Sequence, residues 1–255
     1  MTLSMENPAI QAATVVFYRE DEDGPARHLM VVRQAKMSFA AGALVFPGGR
    51  VDAGDGEVAA NTARVRHAPE DALDAAARVA AIREAIEEVG VAVGVVPALA
   101  PQMMAQWRAA LKAHRPLGEL LAADGRMLDL AVLVPFARWC PKHTGHRNYD
   151  TWFYVAKMTG DAVEVDTDEA THHLWLTARA AMEDDTHRII FPTLRNLERL
   201  AEHPRFDAVL AHLAETPVRA ITPQVRQRDG VDWLCIPEDA GYPVTGCPMA
   251  EMVGP

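Results

Sequence analysis

The sequence predicts an α/β fold in which helices cover both faces of a mixed β-sheet. Segments rich in β-branched and aromatic residues, such as residues 12–18, alternate along the chain with amphipathic helical segments, such as residues 72–89. The chain has 255 residues, which is enough for one large core or two small ones. Alternating strands and helices of this kind favour an α/β/α sandwich.

Composition and charge narrow the class of protein. Hydrophobic residues make up 49% and charged residues 24% of the chain, as is typical of a globular protein. The net charge of −10 argues against a general binder of nucleic acid or of anionic membranes, and the apolar runs are shorter than a membrane span. Three widely spaced cysteines fit neither a disulfide framework nor a metal knuckle, so we expect reduced thiols and a cytoplasmic location.

The N-terminal part of the chain predicts a hairpin followed by a glycine turn. Residues 12–18 and 29–32 have strand composition, and an acidic turn containing Gly-Pro separates them. A short strand at residues 43–46 then leads into Gly48 and Gly49. Glycines at such a turn let the backbone approach a ligand or a metal ion without a Cβ atom in the way.

A polar segment and a long helix come next. Residues 56–71 are mixed and polar, and we expect a loop insertion there. Glu70 and Asp71 suit a helix start, an alanine-rich amphipathic helix follows over residues 72–89, and Gly90 is a natural helix end.

The remaining elements complete the predicted architecture. The predicted strands are residues 91–96, 128–137 and 151–158, and the predicted helices are residues 101–123, 178–183, 192–201 and 206–213. Prolines become frequent in residues 216–255, where residues 231–236 form a lone strand-like run. We therefore predict a domain over residues 1–215, with insertions at about 56–71 and 100–125. The extension that follows it is predicted to pack on this domain or on the partner subunit of a homodimer.

The helix at residues 72–89 gathers acidic residues on one face. At 100° per residue, Glu84, Glu87 and Glu88 fall within an arc of roughly 100°. Like charges at helical neighbour spacing cost about 0.2–0.5 kcal/mol per pair, so folding alone gives no reason for three acids there. A divalent cation does, because hard ions such as Mg²⁺ bind carboxylate oxygens. The alternative interpretation is a solvated, ion-paired helix face.

The same stretch resembles the Nudix box of the Nudix hydrolases, G-x5-E-x7-R-E-U-x-E-E-x-G-U, where U is aliphatic. The second half of the box matches at Arg83, Glu84, Glu87, Glu88, Gly90 and Val91. The first half maps Gly49 onto the opening glycine and places Asp55 where the pattern has Glu. The spacing also departs from the pattern, because residues 56–82 separate the two halves. The preceding F-P-G-G sequence at residues 46–49 strengthens the resemblance.

This resemblance implies a Nudix fold and a Mg²⁺ or Mn²⁺ site. Glu84, Glu87 and Glu88 would hold the cation, and a main-chain carbonyl near Gly48 or at Gly49 would complete its shell. A bound cation neutralises the charge of a diphosphate, lowers the pKa of a bound water and orients it in line. The partner implied is a small nucleoside diphosphate derivative.

Arginine side chains have two predicted roles in the site. Arg83 would orient the acids, paired with Asp55 or with Glu87 one turn on, rather than react itself. A guanidinium or ammonium group just outside the acidic helix could also meet a substrate phosphate, as at Arg33 and Lys36. The candidate substrate-binding residues are Arg33, Gly48, Gly49, Arg50 and Arg147.

The order of features resembles a narrower branch, the coenzyme A diphosphatase-like Nudix proteins with an interrupted box, including the peroxisomal type. The matching pieces are residues 31–33, 41–52, 149–154 and 191–194. This branch implies cleavage of CoA or acyl-CoA to an adenosine phosphate and a phosphopantetheine fragment. Two alternatives stay open: the same chemistry on ADP-ribose or a dinucleotide, and a non-catalytic ligand-binding module.

Overall fold

Strands and helices alternate along the chain in the computed structural model, which describes residues 9–37, 40–141, 148–158 and 163–252. The strands are β1 (Ile10–Arg19), β2 (Arg27–Arg33), β3 (Leu44–Val45), β4 (Gly48–Arg50), β5 (Val65–Arg66), β6 (Val95–Val96), β7 (Met127–Asp129), β8 (Val134–Trp139), β9 (Tyr149–Lys157), β10 (Ala170–Leu176), β11 (Ala220–Ile221), β12 (Gln224–Arg228), β13 (Val231–Cys235) and β14 (Gly246–Pro248). The helices are α1 (Ala53–Ala59), α2 (Ala72–Val89), α3 (Pro101–Lys112), α4 (Leu117–Ala123), α5 (Ala178–Met182), α6 (Phe191–Glu202) and α7 (Phe206–Glu215).

The central sheet is mixed, as predicted. Its order is β10-β2-β1-β9-β8-β11, with β3 paired to β2 and β4 paired to β1. β1 runs parallel to β9 but antiparallel to β2 and β4. The predicted hairpin of β1 and β2 is therefore present, and β1 lies at the centre of the sheet.

Helices cover both faces of this sheet and form two separate cores. Alternate residues of β1 point to opposite faces, so Val15 packs with α2 in one core and Val16 packs with α6 in the other. Ile82 of α2 and Leu197 of α6 are completely buried in these two cores. The arrangement confirms the predicted α/β/α sandwich.

Helix α2 begins and ends where the sequence predicts. The side chain of Asp71 accepts a hydrogen bond from the N–H of Leu73 and caps the first turn. Gly90 ends the helix in the left-handed conformation, with φ of 67°, which glycine adopts without a steric penalty.

Four predicted elements differ from the structure. The predicted strand at residues 128–137 is divided into β7 and β8 by a 3₁₀ turn at Leu130–Val132. Residues 56–71 are not a plain loop, because they include the end of α1 and the strand β5, which pairs with β7. The predicted strand at residues 91–96 is reduced to β6. The predicted helix at residues 101–123 is divided into α3 and α4, because Pro116 lacks the N–H that a continuous helix needs.

The C-terminal segment packs against the second core. β11 pairs with β8, and Tyr242 is buried with its hydroxyl bonded to Asn196 of α6 at 2.8 Å. The lone strand predicted at residues 231–236 is wrong in one respect. Cross-strand hydrogen bonds place β13 between β12 and β14 in a small sheet. Within the described ranges, no helix combines the length and the apolarity that crossing a bilayer requires.

Candidate active site

The glycine turn and the acidic helix meet at one end of α2. β4 pairs with β1, which brings Gly49 against the side chain of Glu84, and a Cβ atom at Gly49 would overlap that carboxylate. The N–H of Gly48 donates to Oε2 of Glu88 at 2.9 Å. The two halves of the interrupted motif are thus joined in space, and the glycines allow the close approach that the sequence predicts.

Arg83 connects the acids on α2 to the start of α1. Its Nε and Nη2 donate to the two carboxylate oxygens of Asp55, each at 2.9 Å. Its Nη1 donates to Glu84 at 2.9 Å and to Glu87 at 3.2 Å, and Nη2 also reaches the carbonyl of Arg50 at 2.8 Å. Both pairings predicted for Arg83 therefore occur together. The shorter side chain of Asp55 reaches the guanidinium because α1 packs on α2.

Glu88 is buried, Glu84 and Glu87 are partly buried, and the three carboxylates repel one another. Burial and the charges of Glu87 and Glu169 raise the pKa of Glu84 to about 7, although Arg83 opposes the shift. Burial and the charge of Glu84 raise the pKa of Glu88 well above its ordinary value, although the hydrogen bond from Gly48 opposes this. Burial also raises the pKa of Glu87. Negative charge at this end of α2 is therefore unfavourable without a further cation.

A fourth carboxylate, that of Glu169, faces this cluster from the loop before β10. Its negative charge raises the pKa of Glu84, Glu87 and Glu88. Glu169 was not among the residues predicted for the site. The only local signal was a short acidic run, Asp166, Asp168 and Glu169, at the start of a strand. Such a run is usually a solvated surface, so only its place in the fold brings it to the site.

Basic side chains lie around the acidic cluster. Arg33 ends β2 directly opposite Ala170, the residue after Glu169, and its buried Nε has no hydrogen-bond partner among the described residues. Arg50 follows Gly49 and is exposed. Lys36 lies 4.0 Å from the carboxylate of Asp168, with both side chains well exposed. The predicted contact Arg147 falls outside the described residues.

The donor set fits a hard divalent cation in type and in charge. The carboxylates of Glu84, Glu87, Glu88 and Glu169 are the oxygen ligands that Mg²⁺ and Mn²⁺ prefer, and their mutual repulsion is what a cation would relieve. In the described part of the chain, no group of three or more His, Cys, Asp or Glu side chains is arranged closely enough to hold a metal ion. Arg83 accounts for part of this, because it engages one oxygen each of Glu84 and Glu87.

One of three comparisons with known proteins finds similar proteins. No protein-family model matches the chain, and the curated proteins give no significant match. Among solved structures, a NUDIX hydrolase from Alicyclobacillus acidocaldarius is 27% identical, with a TM-score of 0.68 over 82% of this chain and 97% of that chain. A MutT protein from Methanosarcina mazei Go1 is 14% identical, with a TM-score of 0.43 over 78% of this chain and 97% of that chain.

The ADP-ribose complex of the NUDIX domain of Shewanella oneidensis NrtR is also similar. It is 14% identical, with a TM-score of 0.44 over 77% of this chain and 88% of that chain. The likeness to the Alicyclobacillus protein has the higher TM-score of the three and extends over 97% of that chain. The architecture is therefore the Nudix fold.

Proposed function

We propose that this chain, a Nudix-type pyrophosphohydrolase, hydrolyses the diphosphate linkage of a nucleoside diphosphate derivative with the help of Mg²⁺ or Mn²⁺, and that CoA or acyl-CoA is its substrate. The observation that carries the proposal is the buried surplus of carboxylates at one end of α2. The four acids are Glu84, Glu87, Glu88 and Glu169. Arg83 lies among them, but most of its hydrogen bonds go to Asp55 and to the carbonyl of Arg50.

Glu84, Glu87, Glu88 and Glu169 would hold the cation, together with the main-chain carbonyl of Gly49. When bound, the cation supplies charge neutralisation for the diphosphate and an activated water. Gly49 leaves room for this because it has no Cβ atom against Glu84. The role of the carboxylates is thus to bind and orient, at a place where the fold already concentrates negative charge.

Arg83 orients the carboxylates through its hydrogen bonds. It bridges Asp55 on one side and the carboxylates of Glu84 and Glu87 on the other, and its side chain is mostly buried. Burial disfavours the charged guanidinium, but the bonds to Asp55 and the charges of the two glutamates outweigh burial and raise the pKa of Arg83. Arg83 therefore stays charged and acts as an orienting residue rather than as an acid or a base.

Basic groups outside the cluster suit the phosphates of the substrate. Arg33 has a buried Nε without a partner in the described ranges, and Arg50 is exposed beside the glycine turn. Guanidinium groups bind phosphate oxygens through charge-assisted hydrogen bonds. We assign Arg33, Arg50 and Arg147 as phosphate contacts on this basis and on their sequence positions.

The choice of CoA over other substrates rests on the sequence resemblance to CoA diphosphatase-like proteins with an interrupted box. The same chemistry on ADP-ribose or a dinucleotide is the second candidate, because site contacts rather than architecture set specificity. A non-catalytic ligand-binding module is the third candidate. The intact acids at positions 84, 87 and 88 argue against it.

A substrate panel separates these candidates. Purified protein with Mg²⁺ or Mn²⁺ is assayed against CoA, acyl-CoA esters, ADP-ribose, NADH and diadenosine polyphosphates. We expect the highest kcat/KM with CoA or an acyl-CoA, giving an adenosine phosphate and a phosphopantetheine product. A preference for ADP-ribose or a dinucleotide would remove CoA as the substrate. Tight binding of one compound without turnover of any would support the non-catalytic module.

A further inference from the structure

Helix α3 reaches the candidate site through the main chain of α2. Arg108 donates from Nε to the carbonyl of Glu87 at 2.9 Å and from Nη2 to the carbonyl of Glu88 at 3.2 Å. The last carbonyls of a helix lack partners within the helix, and a cation beside them is favourable. Arg108 is buried, and its Nη1 also lies 3.3 Å from the carboxylate of Glu164. It therefore fastens the end of the helix that carries Glu88.

The loop before β10 is attached to the same helix end through Asp166. The N–H of Asp166 donates to the carbonyl of Glu88 at 2.7 Å, and the carbonyl of Asp166 accepts from the N–H of Glu169 at 3.2 Å. Its carboxylate accepts from the N–H of Asp168 at 3.0 Å, which closes the turn. A single residue thus links the backbones of Glu88 and Glu169, whose carboxylates face each other in the site.

Lys112, the last residue of α3, holds Asp166 in this position. Its Nζ lies 2.8 Å from Oδ1 of Asp166, whose side chain is 11% exposed, while the lysine side chain is 39% exposed. An ion pair with one largely buried partner restrains that partner more than a pair on open surface does. Lys112 itself is neither part of the acidic cluster nor next to it in sequence.

We propose that Lys112, acting through Asp166, is a positioning residue that fixes the separation of the Glu88 and Glu169 carboxylates, with Arg108 fixing the same helix end from the other side. This inference rests on the proposed function, because the spacing matters only if both carboxylates bind the cation. The insertion that contains α3 then stabilises the positions of the proposed metal ligands. Groups that orient metal ligands typically change metal affinity by 10–100-fold when removed.

The test uses Lys112→Met in the full chain, because Arg108 is buried and its loss could prevent folding. We expect the dissociation constant for Mn²⁺, measured from the electron paramagnetic resonance signal of the free ion, to rise about tenfold. Amide hydrogen exchange at residues 166–170 should become faster in the metal-free protein. Lys112→Arg should restore most of the affinity. Asp166→Asn should weaken Mn²⁺ binding similarly, and the double variant should lose little more than either single one.

Arg115→Met is the matched control, because Arg115 pairs only with Glu119 at an exposed position in the described structure and its loss changes the net charge equally. It should leave the Mn²⁺ affinity unchanged. The positioning role of Lys112 would be overturned if Lys112→Met bound Mn²⁺ as tightly as the natural protein does. It would also be overturned if Arg115→Met lost as much Mn²⁺ affinity as Lys112→Met. In both cases turnover by the natural protein would leave the proposed function standing. If the natural protein turned over no substrate but Lys112→Met still weakened Mn²⁺ binding, the proposed function would fail and the positioning role would stand.

Discussion

Both ends of α2 carry buried charged side chains, but the charges are paired at one end and unbalanced at the other. Near the N-terminal end, Arg78 donates two hydrogen bonds to Asp74, each at 2.9 Å, and a third to the carbonyl of Leu130 at 3.0 Å. The hydroxyl of Tyr154 donates to the same carboxylate at 2.7 Å. One buried anion faces one buried cation there, with neutral groups completing the bonds.

At the C-terminal end the charges do not balance. Glu84, Glu87, Glu88 and Glu169 converge, while Arg83 directs most of its hydrogen bonds to groups of α1 and β4. A balanced buried pair holds elements together, whereas a surplus of one sign raises the free energy of the unliganded protein. The balance of positive and negative charge, and not the number of buried charges, therefore distinguishes the proposed metal-binding end of this helix from the end that only stabilises the fold.

Breaking the balanced end should have the largest effect. Asp74→Asn leaves the guanidinium of Arg78 buried without its counter-ion, so we expect the free energy of unfolding to fall by about 3–5 kcal/mol. Urea denaturation followed by circular dichroism measures this loss. Turnover per folded molecule should stay within about twofold, because ten residues of helix place Glu84 roughly 15 Å away. A double variant, Asp74→Leu with Arg78→Met, should be less destabilised than Asp74→Asn. If Asp74→Asn proved as stable as the natural protein, the N-terminal end would not depend on charge balance.

Neutralising the surplus end should affect activity instead. Glu87→Gln removes one carboxylate from the cluster, and we expect kcat/KM to fall by about a hundredfold, which corresponds to roughly 2.7 kcal/mol of transition-state stabilisation. Stability should be retained or increased, because one repulsive charge is lost. Glu119→Gln on the exposed face of α4 is the matched control and should keep full activity. Unchanged turnover in Glu87→Gln would contradict the assigned role of Glu87.

The pH dependence of stability sharpens the comparison. Burial, helped by Glu87 and Glu169 and opposed by Arg83, raises the pKa of Glu84 from 4.5 to about 7 in the folded protein. The folded-state pKa of Glu84 lies above the unfolded-state value, so the folded protein binds this proton more tightly than the unfolded chain does. The resulting contribution to stability is complete below about pH 4.5 and is lost as the pH rises through about 7. With a chelator present, we expect the free energy of unfolding to fall by about 1–2 kcal/mol between about pH 5.5 and 7.5. Glu84→Gln should flatten this curve, and a variant curve as steep as that of the natural protein would assign the effect to other groups, such as Glu88.

The smallest expected effect is stabilisation by the cation. A ligand that binds only the folded state adds about 1.4 kcal/mol when it is present at ten times its dissociation constant. We therefore expect Mn²⁺ to raise the melting temperature of the natural protein but to leave that of a Glu84→Gln, Glu88→Gln double variant nearly unchanged. Calorimetry with and without a chelator makes the comparison. Equal shifts in both proteins would place the bound cation somewhere other than α2.

Local sequence predicted much of the fold and the acidic half of the site. The bounds of α2 follow from Asp71 and Gly90, which are capping residues, and the three acids on one helix face follow from the 3.6-residue period. The strands β1 and β2 follow from their composition. Less was predictable where a short element depends on a distant partner, as for β5, β6 and the small sheet of β12, β13 and β14.

The sequence by itself determined which residues cap α2, which face of that helix is acidic and that a glycine turn precedes it, because these features depend on neighbours within a few residues along the chain. Only the tertiary structure decided that Asp55 and Glu87 bind Arg83 at the same time, that Glu169 joins the cluster and that Lys112 holds the loop beside it. Closing a long loop costs little more entropy than closing a short one, so sequence distance gives almost no information about which charged segments meet. Packing of the helices and loops around the central sheet determines which charged segments come into contact.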